Sequence, residues 1–86
     1  MHYNEAIDFF EKQKPSYNIP KSAVLDFIEK RVVEIELLGQ ETDPKNPKHY
    51  IDELVWVCSY YAKSDMRFYE LTGTMDGKIV RYDTSV

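Results

Sequence analysis

The stretch Tyr50–Ala62, YIDELVWVCSYYA, holds the chain's one tryptophan and its one cysteine, and its reading decides the fold. As a strand it alternates, with Leu54, Trp56, Cys58 and Tyr60 on one face and Val55, Val57, Ser59 and Tyr61 on the other. As a helix it places Ile51, Leu54, Val55, Cys58, Tyr61 and Ala62 on one apolar stripe. Pro47 near the start and Asp52 and Glu53 in the first turn suit that helix too. Composition decides between them. Val55-Trp56-Val57 and Tyr60-Tyr61 are β-branched and aromatic, which lose side-chain freedom in a helix and pack well on a pleated surface. Two strand-like runs that need a partner also follow. The stretch reads as a strand.

Those two runs, residues 66–74 and 78–83, flank Met75-Asp76-Gly77. Asp-Gly between alternating segments is a strong hairpin signal, because a two-residue type I′ turn needs positive φ at both central positions. A turn at Asp76-Gly77 pairs Met75 with Lys78, Gly73 with Val80, Thr72 with Arg81, Leu71 with Tyr82 and Glu70 with Asp83. A two-residue turn at Ser64-Asp65 sets Tyr60 against Tyr69, Cys58 against Leu71 and Trp56 against Gly73. Leu54, Trp56, Cys58, Tyr60, Tyr69, Leu71, Val80 and Tyr82 then share one inner face. A slip of one residue would exchange the faces.

Toward the N-terminus, Tyr3, Ala6, Ile7 and Phe10 follow helical spacing and predict a helix over residues 3–13. Asn4 suits its N-cap, and Pro15 helps to end it. A second helix is predicted over residues 20–31, with Val24, Leu25 and Ile28 inside. Residues 32–38 alternate as a half-buried strand, although Leu25, Ile28, Val32 and Ile35 also keep a helical period. Residues 40–48, QETDPKNPK, form a loop by their prolines, Asn and Asp. The expected architecture is one α+β domain over residues 1–86. Two N-terminal helices pack on one face of a three- or four-stranded antiparallel sheet that ends in a C-terminal meander.

Charge and composition exclude several functions. The formal charge of −4 is spread over both halves without a basic tail or an acidic block, which disfavours nucleic-acid and anionic-membrane binding. No apolar run approaches the roughly 18 residues needed to cross a bilayer. The first residues are acidic and periodic, unlike a signal peptide. A single cysteine makes no internal disulfide, which fits a reducing, cytoplasmic setting.

No catalytic set, cofactor motif or metal signature is present. Cys58 lies mid-strand among apolar residues and reads as an inert core thiol. His49 beside Asp52 or Glu53 matches no zinc spacing and reads as a solvated loop histidine. Cys58, His49 and Asp52 do not make a triad, because on one strand Cys58 and His49 fall far apart on opposite faces. The carboxylate pairs Glu34/Glu36 and Asp52/Glu53 read as solvated surface. Gly73-Thr-Met-Asp-Gly77-Lys78-Ile79 has one residue too few between its glycines for a phosphate loop, and Ile79 where a hydroxyl must bind magnesium.

The same register leaves Val55, Val57, Tyr61, Phe68 and Ile79 on the outer face among Ser59, Glu70, Thr72 and Arg81. An open sheet face is ordinarily polar, so this patch is the expected protein-binding surface; the alternative is that the N-terminal helix or the long loop covers it. The expected function is a small non-catalytic module that binds another protein, such as an inhibitor, an immunity-type protein or an accessory subunit, or a second copy in a homodimer. Two alternatives belong to other classes. One is a small-ligand binder or minimal enzyme, with a pocket between helices and sheet lined by Trp56, Tyr60 and Tyr82. The other is a single-strand nucleic-acid binder that stacks bases on Tyr60, Tyr61, Phe68, Tyr69 and Tyr82 beside Arg67 and Arg81.

Overall fold

A computed structural model describes residues 1–36 and 50–85. Helix α1 (Tyr3–Gln13) runs into a 3-10 turn (Lys14–Tyr17), and four strands follow: β1 (Val24–Glu36), β2 (Tyr50–Ala62), β3 (Arg67–Thr74) and β4 (Ile79–Ser85). The strands form one antiparallel sheet in the order β1-β2-β3-β4. The α+β class and the meander are as expected, and the central stretch is a strand. The expected loop 40–48, His49, and residues 37 and 38 of the expected strand 32–38 lie outside the described residues.

The second helix does not form, and residues 24–31 belong to β1. A bulge at Asp26 explains the misreading. Leu25 pairs with Tyr60 and Ile28 with Cys58, so both face inward although three residues apart. Val32, opposite Leu54, faces the same way four residues later. The inserted residue makes the first spacing three, and the regular spacing of four that follows completes the imitation of a helical stripe. Local composition carried the contrary signal in Phe27-Ile28 and Val32-Val33.

The β2–β3 register is the expected one: Trp56 opposite Gly73, Cys58 opposite Leu71 and Tyr60 opposite Tyr69. The connecting loop is wider than a two-residue turn. The strands stop at Ala62 and Arg67, and Met66 takes a left-handed φ of 54°. Between β3 and β4 the expected two-residue turn is replaced by a longer one. The Thr74 N–H donates to the Lys78 carbonyl at 2.8 Å and the Gly77 N–H to the Thr74 carbonyl at 3.1 Å. Gly77 supplies the left-handed φ of 90° that ends such a turn. A bulge at Val80 then restores the expected register, so Thr72 still meets Arg81 and Leu71 still meets Tyr82. Ile79 instead of Val80 therefore stands opposite Gly73.

Helix α1 covers the inner face. Ala6 and Phe10 are buried in one cluster with Ile19, Ala23, Trp56, Cys58, Tyr60, Ala62, Tyr69 and Leu71. His2, and not Asn4, caps the helix, and its backbone N–H donates to Glu5 Oε1 at 3.3 Å. The Trp56 indole N–H donates to the Met1 carbonyl at 3.0 Å, which fixes the start of the helix over the sheet. Pairing with β3 begins at Val55, so residues 50–54 of β2 pair with residues 32–36 of β1 alone. A two-stranded arm thus extends past the four-stranded body.

Candidate functional site

The five residues expected on a common outer surface do not share one. Val55 and Val57 are on the outer face and are buried. They are flanked in the ladder by Arg31 and Glu29 on β1 and by Thr74 and Thr72 on β3. Tyr61 and Phe68 form a cross-strand aromatic pair with ring centres 4.9 Å apart, and Phe68 remains 40% exposed. Ile79 packs against the helix-side core, a consequence of the altered turn. Of the five, only Tyr61 and Phe68 keep accessible surface on the outer face. The rim of that face on β1 is charged, with Arg31 Nε–H donating to Glu29 Oε1 at 2.6 Å beside the Phe27 ring.

Beneath α1 lies the densest cluster of chemical groups. Lys14 ends the helix with its side chain buried, donates to the Ala23 carbonyl at 2.8 Å and pairs with Glu11 at 2.9 Å. Its ammonium lies 4.4 Å from the centre of the Tyr60 ring. The Tyr60 hydroxyl is buried without a hydrogen-bond partner, close to the Cys58 thiol and the Glu11 carboxylate. Burial pushes the Cys58 thiol from 9.0 up to about 11, with nearby Glu11 adding to the rise. Burial likewise holds the Tyr60 phenol far above its ordinary range. Both groups stay protonated at neutral pH, so neither is an activated nucleophile or base.

A depression of about 430 Å³ opens at the edge of this cluster, lined by Glu11, Lys14, Pro15, Ile19 and Lys21. It is not the pocket expected between helix and sheet. Trp56 and Tyr60 are buried in the core, and Tyr82 lies against Tyr17 with ring centres 5.2 Å apart. The aromatic residues proposed for base stacking are also divided. Tyr60 and Tyr69 are buried on the inner side, whereas Tyr61 and Phe68 are on the outer. Among the described residues no three His, Cys, Asp or Glu side chains converge on a metal-binding position. Asp52 and Glu53 are consecutive in β2 and point to opposite faces, so they cannot share a proton. No helix among the described residues is long and apolar enough to cross a membrane.

A further exposed apolar pair in the sheet lies elsewhere. Val32 on β1 is 66% exposed and its cross-strand neighbour Leu54 on β2 is 44% exposed, both on the inner side of the arm beyond the reach of α1. Exposed Lys30 and Glu34 flank Val32 on the same side. Lys30 has its ammonium 5.2 Å from the centre of the Trp56 ring. Strand β1 is at an edge of the sheet, so alternate N–H and C=O groups along its length point away from β2. Alternation reads residues 32–38 as a strand and places Leu54 on the inner face, but it does not show that both Val32 and Leu54 stay exposed there. The pairing of Val32-Val33 with Glu34 and Ile35 was the available signal.

No protein-family model, curated protein or solved structure matches this chain.

Proposed function

We propose that this chain is a non-catalytic protein-binding module, and that it engages its partner along the β1 edge and the exposed apolar strip of the arm. The observation that carries this reading is the exposed Val32–Leu54 pair on an arm that has two strands among the described residues. A two-stranded ribbon is marginally stable in water by itself. An added strand would complete its hydrogen bonding and set apolar side chains of its own beside Val32, which is the logic of β-strand addition. The Tyr61–Phe68 pair is at the other end of the sheet and adds a second apolar contact. The buried, protonated thiol and the mild negative charge favour binding over catalysis. An inhibitor, an immunity-type protein or an accessory subunit acts through such a surface.

The test is capture by the tagged chain from a lysate of its source cell that also holds untagged copies of it. Wild type is compared with a Val32→Lys, Leu54→Lys variant shown by circular dichroism to keep its fold. A protein retained by wild type and lost by the variant is the expected result. Equal retention by both, or none by either, would overturn the proposal.

A further inference from the structure

We infer that the strand added to β1 is β1 of a second copy of this chain, paired antiparallel about a two-fold axis at Val32. This rests on the reading of the β1 edge as the binding surface, and it names the partner. The argument is one of register. When an edge strand pairs with itself about a two-fold axis normal to the sheet, residues on the same face meet, and one residue meets its own copy. Each choice of that residue fixes every other pair.

Most choices along the regular part of β1 are unfavourable. A centre on Glu29, Lys30 or Arg31 sets like charges directly opposite each other. A centre on Val33 sets Val32, the most exposed apolar residue described on β1, against the carboxylate of Glu34 from the second copy, whereas the mixed pair made by a centre on Val32, Arg31 opposite Val33, falls on the other face and involves a less exposed valine. A centre on Val32 sets this residue, 66% exposed, directly against its own copy. It also sets Lys30 opposite Glu34 of the second copy and Glu34 opposite Lys30 of the second copy. One two-fold operation therefore makes an apolar pair flanked by two ion pairs on the same face. Charges on an edge strand ordinarily ward off other strands. Here they select one register and one partner.

The opposite edge lacks these properties. Strand β4 is shorter, begins with the Val80 bulge, and bends where a long ladder would need to run straight. Pairing through β1 alone closes at two copies, because each sheet has used its one regular edge.

The test is charge reversal followed by light-scattering mass measurement across a concentration series. Wild type is expected to move with concentration toward twice the 10.2 kDa mass of one chain. K30E alone and E34K alone each place like charges in both symmetric pairs, and each is expected to weaken self-association about tenfold. An equimolar mixture of K30E and E34K restores opposite charges across both pairs and is expected to recover the dimer mass. The double variant K30E/E34K is expected to recover it as well. K30E also loses the contact with Trp56, whereas E34K does not, so recovery in the mixture separates pairing from any change within the chain. Wild type that stays monomeric, single variants that associate like wild type, or a mixture that stays monomeric would each overturn the inference. Monomeric wild type that still captures a different protein through Val32 and Leu54 would leave the binding reading standing while removing this one.

Discussion

At the scale of single residues, the least settled group in the molecule is the Tyr60 hydroxyl. It is buried, it has no hydrogen-bond partner, and its neighbours are a protonated thiol and a carboxylate that already serves Lys14. A buried hydroxyl without a partner forfeits its hydration and gains nothing in exchange, at a cost of about 1–3 kcal/mol. Its ring has a separate role, since Lys14 lies over it and the core closes around it. Phenylalanine keeps the ring and removes the oxygen. Tyr60→Phe is therefore expected to raise stability by about 1 kcal/mol, measured as an increase in the urea midpoint at unchanged slope. A loss of stability would mean that the hydroxyl contributes an interaction that its geometry does not reveal. The same neighbourhood explains why the burial of Cys58 was legible in the sequence. Large apolar residues on both sides of a mid-strand thiol signal burial, and burial is what raises its pKa.

At the scale of elements, the contact that fixes α1 on the sheet is a close approach to Gly73. A methyl group at this position would meet the Phe10 ring at 3.0 Å and the Phe9 ring at 3.3 Å. Phe10 is fully buried and has nowhere to move. Gly73→Ala is expected to destabilise the fold by about 1–3 kcal/mol through overpacking. Paired with a Phe10→Leu exchange, the same substitution should cost less than its cost in the wild-type background, a non-additivity that a double-mutant cycle reads directly. Additive costs would mean that the two groups do not meet. This packing was partly visible in the residues. The pairing of Trp56 with Gly73 followed from alternation and turn chemistry, but the occupant of the space above the glycine did not, because a helix docks through three-dimensional shape. Alternation also fixed β2 and β3, where no residue interrupts the period of two. It failed where single residues are inserted. Asp26 made β1 imitate a helix, and the longer turn at 75–77 with the bulge at Val80 moved Ile79 from the outer side to the inner. The outer-face patch was misjudged for a further reason. Alternation assigns Val55 and Val57 to a face, but it does not say how much of that face its neighbours bury.

At the scale of the whole molecule, titrating groups are divided between the core and the loops at the two ends of β3, and this division sets how stability depends on pH. Asp65, between β2 and β3, accepts from the Tyr69 hydroxyl at 2.5 Å and from Ser64 at 2.9 Å, which lowers its pKa below 3.8. Asp76, between β3 and β4, accepts from the Thr74 hydroxyl, and its pKa is lowered in the same direction. Just below 3.8 the unfolded chain therefore holds more protons than the folded one, and stability rises with pH. The contribution is complete above the ordinary carboxylate range and is lost as pH falls through the lowered values. Cys58 and Tyr60 behave in the opposite sense. Their folded pKa values lie above 9.0 and 10.0, so the unfolded chain releases its protons first. Stability from these two groups is complete below about pH 9 and falls as pH rises toward 11 and beyond. Thermal midpoints measured from about pH 2 to pH 12 should form a plateau bounded by these two declines. Tyr69, held above its ordinary range by its bond to Asp65, adds a smaller share to the alkaline decline, and a Cys58→Val, Tyr60→Phe variant removes the two core groups. In that variant the decline is expected to begin at higher pH while the acid decline keeps its place. An alkaline decline unchanged by the double substitution would assign it to surface lysines and other tyrosines instead. The acid decline should in turn weaken in an Asp65→Asn, Asp76→Asn variant, because both loops then lose their charged acceptors at every pH and have nothing further to lose on acidification.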